Sequence, residues 1–138
     1  MRKPIVVDTN ILLSALIADS KTRNLVVNLD HQLVAPEPIY DEVEEYRGLI
    51  QEKSGLDRGA VDTLLNTLFK YIEIIPTEDV EQFIDQANKE LGEIDKDDVV
   101  FLAAALSVDG SIWSDDQHLH QQDLVPAYTT PELIAHTD

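Results

Sequence analysis

Four acidic residues far apart in the chain, Asp8, Glu42, Asp98 and Asp116, stand just after short apolar runs or in the first turn of amphipathic segments. Each alone has an ordinary explanation. Asp8, in Asp8-Thr9-Asn10, is a turn residue able to cap a helix. Glu42 shares an acidic helix face with Asp41, Glu44 and Glu45, and such faces are usually solvated. Asp98 leads an apolar helix, where the free N–H groups and the helix dipole favour an acid. Asp115 and Asp116 are ordinary residues after a strand. Gathered on one rim, however, carboxylates repel and raise one another's pKa values unless something neutralises them. The natural neutraliser is a hard divalent cation with oxygen ligands, Mg²⁺ or Mn²⁺. A cation held in this way activates water and stabilises charge on a phosphoryl group. With no nucleophile adjacent in sequence, the chemistry indicated is hydrolysis of a phosphodiester by water.

The elements that must position these acids follow from periodicity. Residues 5–7, Ile-Val-Val, read as a buried parallel strand ending at Asp8. A helix is expected over 11–17 with Thr9 or Asn10 as its cap, and another over 22–30. Residues 33–35 form a short strand closed by Pro36. Ile39, Val43, Tyr46 and Ile50 fall at helical spacing, which predicts one helix over 36–53. Ser54-Gly55-Leu56-Asp57 ends it, and Asp57 caps a helix running toward Tyr71. Strand 71–75, helix 77–91, an apolar helix over 99–108, strand 111–114, strand 125–128 and a terminal helix opened by Pro131 complete the order. Strands alternating with helices, with no hairpin signal, indicate an α/β fold of three layers, α/β/α, whose central sheet has about five mostly parallel strands. In such sheets ligands sit beyond the carboxyl ends of the strands. That rule brings the four acids to one rim.

The opening segment, from Ile5 through Asp8-Thr9-Asn10 to Leu16, strongly resembles the start of PIN-domain ribonucleases, which include the VapC-type toxins. The similarity continues in order: Pro36-Glu37-Pro38-Ile39-Tyr40-Asp41-Glu42-Val43 matches the second acidic segment, Asp98 leading the Ala-rich run to Leu106 the third, and Trp113-Ser114-Asp115-Asp116 the fourth. The resemblance implies that Asp8, Glu42, Asp98 and Asp116 are the catalytic acids and bind Mg²⁺ or Mn²⁺. Asn10 and Ser114 match its supporting polar positions. Asp115 is the alternative to Asp116, and Asp95 and Asp97 flank Asp98 as helpers or caps. The family further implies cleavage of RNA to leave a 5′-phosphate, frequent homodimers and, for its toxins, a basic antitoxin partner.

At 138 residues the chain reads as one domain, 1–138, long enough to bury a core without disulfides, and it has no cysteine. The apolar run after Met1-Arg2-Lys3-Pro4 is too short for a signal-peptide core, and no run reaches membrane-spanning length, so a cytoplasmic protein is expected. The formal charge of −17, from 10 Lys and Arg against 27 Asp and Glu, opposes nucleic-acid binding at long range. Screening over about 8 Å lets a local basic rim act despite the total. Such a rim is expected at Lys21 and Arg23 and along an arm carrying Arg47, Lys53 and Arg58, with Arg23, Arg47 and Arg58 as RNA contacts. His118 and His120 are two apart, a pattern that occasionally binds metal, but with no cysteine and no third partner in view they read as turn residues. Trp113 and Tyr128 read as core or interface aromatics.

Other classes fit less well. A phosphatase of the haloacid-dehalogenase kind would show Asp-x-Asp after the first strand, and a receiver domain would need a lysine after a late strand. Neither is present. A PIN-like module kept for binding or as a scaffold, with the acids as remnants, is the non-enzymatic alternative, and the acidity favours it mildly.

Overall fold

The computed structural model describes residues 3–17, 20–91 and 98–136. Five strands, β1 (Ile5–Val7), β2 (Leu33–Pro36), β3 (Ile72–Ile75), β4 (Ser111–Trp113) and β5 (Ala127–Tyr128), form one sheet in the order β3-β2-β1-β4-β5. Every pairing is parallel, with Val6 opposite both Val34 and Ile112. β1, β2 and β4 are buried at every position, as strands covered on both faces must be. The edge strand β3 exposes Glu73, a charge that discourages pairing with another chain.

The helices are α1 (Thr9–Ile17), α2 (Ser20–Asn28), α3 (Ile39–Glu45), α4 (Arg47–Ser54), α5 (Arg58–Phe69), α6 (Thr77–Glu81), α7 (Ile84–Leu91), α8 (Val99–Ser107) and α9 (Thr130–His136). α1 packs with α2, α3, α4 and α5, whereas α8 packs with α6 and α7 and against β1, β2 and β4. The result is a three-layer α/β/α fold with a five-stranded parallel sheet. α8, Val-Val-Phe-Leu-Ala-Ala-Ala-Leu-Ser, is buried nearly all round, and Ala103, Ala104 and Ala105, each 0% exposed, let it lie close to the sheet.

Two expected helices are each two. The chain breaks at Tyr46 (φ −99°, ψ 7°), whose N–H bonds the carbonyl of Val43 at 3.1 Å, closing α3 with a tighter turn. Its own carbonyl then accepts from Ile50 at 2.9 Å to begin α4. Gly48, a poor helix former, follows the break. The second break falls at Gln82–Phe83, and both halves, α6 with buried Val80 and α7 with buried Ala87 and Leu91, lie on α8. Other boundaries agree: Asp57 caps α5 by accepting the N–H of Ala60 at 2.8 Å, and Gly55 takes the left-handed conformation (φ 72°) that ends α4.

Candidate functional site

β1 and β4 are neighbours at the middle of the sheet, and from β1 the order runs to β2 and β3 on one side and to β4 and β5 on the other. This is a topological switch point, where the loops beyond the strand ends part and leave a crevice. Asp8 follows β1 there, and Ser114 to Asp116 follow β4.

Asp8 is held from three directions. Its N–H bonds the carbonyl of Trp113 at 3.3 Å, continuing the β1–β4 ladder by one residue. One carboxylate oxygen accepts the N–H of Ile11 at 3.0 Å, so Asp8, and neither Thr9 nor Asn10, caps α1. The other accepts the hydroxyl of Ser114. Ser114 is fully buried and also accepts the N–H of Asp116, at 3.0 Å. Burial pushes the Asp8 carboxyl up from 3.8 to about 6, against the two hydrogen bonds from Ser114 and Ile11, and the charges of Asp116 and Asp115 push the same way.

The other acids arrive from separate elements. Glu42, in the first turn of α3, accepts the Thr9 hydroxyl, which ties α3 to the start of α1. Asp98 stands at the head of α8, yet its side chain makes no capping hydrogen bond there. Helix capping therefore does not account for its acid. Asp116 heads a short 3-10 helix, Gln117–Gln121, and accepts the N–H of His118 at 2.9 Å. Asp8, Glu42, Asp98 and Asp116 all line one cavity of about 290 Å³, with Thr9, Asn10, Glu45, Tyr46 and Phe101 completing its wall.

The remaining sequence candidates separate. Asn10 lines the cavity and Ser114 bridges Asp8 to Asp116. Asp115 turns to Thr130, accepting its N–H at 2.6 Å and its hydroxyl at 2.7 Å, and so fixes the start of α9. Asp95 and Asp97 lie outside the described residues. Of the basic arm, Arg47 is paired, whereas Lys53 is exposed. Arg47 bonds Glu44 at 2.6 Å and also Asp62, which joins the α3–α4 junction to α5. Glu44 is held below the usual carboxylate range by that contact. Arg23 donates to the carbonyl of Ala15 at 2.9 Å and ties α2 to α1. Arg58, at the start of α5, is exposed.

His118 is the residue that the sequence reading set aside. It is no mere turn residue: its Nδ1 lies 3.6 Å from an Asp116 oxygen and 3.9 Å from an Asp98 oxygen. One ligand atom from each of Asp98, Asp116 and His118 lies within 4.8 Å of the others, a spacing that suits an ion. The Asp116-x-His118 interval was the available signal, but its meaning depends on Asp98, 20 residues away in the chain. His120 differs, because its Nε2 donates to the Ser114 carbonyl at 2.7 Å and serves the scaffold. Trp113 is a core residue, 0% exposed, with its indole N–H on the Thr130 hydroxyl at 2.9 Å.

The family model of the PIN domain matches residues 6–133. The chain belongs to the PIN-domain family. Among solved structures, this PIN domain is similar to VapBC2 from Rickettsia felis bound to a DNA fragment from its promoter, with a TM-score of 0.70 and 14% identity over 91% of this chain and 98% of that one. FitAB bound to an IR36 DNA fragment gives 0.64 and 15%, over 91% and 94%. A toxin–antitoxin complex from Klebsiella pneumoniae gives 0.56 and 16%, over 82% and 87%. At these identities the likeness is one of fold. A search of curated proteins finds no match. Among the described residues no helix is long and apolar enough to cross a membrane.

Proposed function

We propose that this PIN domain is a metal-dependent endoribonuclease in which Asp8, Glu42, Asp98 and Asp116 hold Mg²⁺ or Mn²⁺ and water cleaves the RNA phosphodiester. The observation that carries the reading is the convergence of these four acids, from four separate segments, on one cavity. The donor set fits such a cation. It is built of carboxylate oxygens, and the Asp8 carboxyl is driven to about 6 by burial beside further acids, a cost that a bound cation removes. When bound, a divalent ion supplies a Lewis acid for the phosphoryl oxygens and lowers the pKa of water.

The chain's own residues do the positioning. Ser114 fixes the orientation of Asp8 and the backbone of Asp116, Thr9 fixes Glu42, and α1, capped by Asp8, supplies the adjacent wall. Tyr46, 41% exposed at the α3–α4 junction, offers an aromatic face at the cavity where a nucleobase can stack. With Arg47 committed to Glu44 and Asp62, phosphate attraction at this rim falls mainly to the cation, which reconciles a −17 chain with an anionic substrate.

The same acidic cavity suits a basic peptide segment. One matched structure is a toxin–antitoxin complex, and we extend the proposal to a toxin silenced by a basic antitoxin and acting as a homodimer in the cytoplasm. The test is cleavage of a panel of labelled RNAs by wild type and Asp8→Asn with Mg²⁺, Mn²⁺ or EDTA. Cutting that needs the metal and is lost in the variant is expected. A folded, metal-loaded wild type that cuts no RNA in the panel overturns the reading in favour of a binding module.

A further inference from the structure

We propose that His118 is a nitrogen ligand of the metal centre, shared with Asp98 and Asp116, and that it shifts the site's preference from Mg²⁺ toward Mn²⁺. The inference rests on the acidic cavity being a metal site and adds a ligand to it. Ligands about 2.1 Å from one ion stand about 3 Å apart when adjacent and about 4.2 Å apart when opposed. The His118 Nδ1 separations of 3.6 Å from Asp116 and 3.9 Å from Asp98 fall inside that range. Both exceed the 2.7–3.2 Å or so of a direct hydrogen bond; they suit ligands around a common centre as well as an ion pair with a protonated ring, and directly bound nitrogen tells the two apart.

The backbone that carries the ring is placed by the scaffold. The N–H of His118 bonds Asp116 at 2.9 Å, the next residue, Leu119, is 0% exposed in the core, and His120 bonds the Ser114 carbonyl at 2.7 Å. Anchors on either side of His118 therefore fix its backbone beside the acids. Its own side chain is 44% exposed and contributes little to the core. Imidazole suits transition ions, whereas Mg²⁺ prefers oxygen donors, so one nitrogen in an otherwise carboxylate set discriminates between the two.

The experiment uses the full chain with Mn²⁺ and with Mg²⁺ alone. Pulsed electron paramagnetic resonance of the Mn²⁺-loaded wild type is expected to show coupling to one directly bound nitrogen, absent from His118→Gln. Mn²⁺ affinity is expected to fall tenfold or more in His118→Ala and His118→Gln, and Mg²⁺ affinity less than about threefold. No nitrogen coupling in the wild type, or equal weakening of both metals, overturns the proposal. Asp98→Asn separates the two levels. If it abolishes Mn²⁺ binding while the His118 variants do not weaken it, the acidic metal site stands and the ligand proposal alone falls. If it leaves Mn²⁺ binding intact, both fall. The wild-type spectrum needs no variant, so the proposal is tested even if a substitution disturbs folding.

Discussion

The hydroxyl of Ser114, at the end of β4, donates to the carboxylate of Asp8, at the end of β1, while accepting the N–H of Asp116. One buried oxygen thereby sets two of the four acids. Ser114→Ala removes the donor to Asp8 and the acceptor for Asp116 together, leaving buried polar groups unsatisfied. A loss of about 1–3 kcal/mol is expected in urea denaturation of the metal-free protein. Because the Ser114 hydrogen bond lowers the Asp8 pKa, its removal should also move the Asp8 titration above its value of about 6, as read by carboxyl carbon NMR. An unchanged Asp8 titration would show that the hydroxyl does not set the acid.

Gly110 controls the same strand from its other end. A Cβ there would stand 2.3 Å from the Pro4 carbonyl oxygen and 3.1 Å from its carbon. The backbone has no room to withdraw, because Ser111 N–H bonds that same oxygen at 3.0 Å and Gly110 N–H bonds Ala105 at 2.9 Å. Gly110→Ala is therefore expected to cost about 1–3 kcal/mol or more by overpacking, with a lower thermal midpoint. Metal affinity of the fraction that remains folded should persist, because the site lies at the opposite end of β4.

Asp115 and Asp116 make a direct test of assignment, since spacing alone does not choose between them. Asp115 holds the N–H and hydroxyl of Thr130, and Thr130 also receives the Trp113 indole. Asp115→Ala is expected to lower stability by about 1–2 kcal/mol through the two lost hydrogen bonds to Thr130 while metal affinity stays near wild type. Asp116→Asn should do the reverse. Calorimetric titration with Mn²⁺ and thermal denaturation of both variants decide it, and equal loss of metal binding would mean that the acids share the site.

Such neighbours show where the sequence was legible. β1 and β4 were readable because strands buried on both faces are short unbroken apolar runs, and Asp8 and Asp116 follow from where those runs stop. The break at Tyr46 was not, because Ile39, Val43 and Ile50 are buried at one helical spacing across it, and side-chain periodicity does not register a changed backbone hydrogen bond. β5 begins later than expected because the Gln122 side chain takes the N–H groups of Leu124 and Val125 at 2.9 and 3.0 Å, outside any ladder. The pairing of Arg47 was not legible for a tertiary reason: Arg47 finds Asp62, 15 residues on, which brings it onto α5. Local pattern carries strand ends and helix caps; pairing between distant charges it does not carry.

The buried Asp8 carboxyl couples folding to pH and, where it holds a cation, to metal binding, and the direction follows from its raised pKa. In the metal-free folded protein the group keeps its proton to about 6, whereas in the unfolded chain it releases it near 3.8. The folded state thus binds more protons in that window, and the contribution of Asp8 to stability, fully present below about 3.8, is lost as pH rises through about 6. Two pKa units correspond to about 3 kcal/mol at most. Asp8→Asn should remove this dependence and leave the metal-free variant about 1–3 kcal/mol more stable than wild type at pH 7.5, despite losing metal binding. A cation needs the deprotonated carboxylate, so wild-type metal affinity should climb with pH up to about 6 and level off above 7. Urea denaturation of both proteins from pH 4 to 8, with and without Mn²⁺, measures each part. If wild type without metal were as stable as Asp8→Asn at pH 7.5, the buried charge would carry no cost, and the electrostatic case for a cation beside Asp8 would lose its foundation.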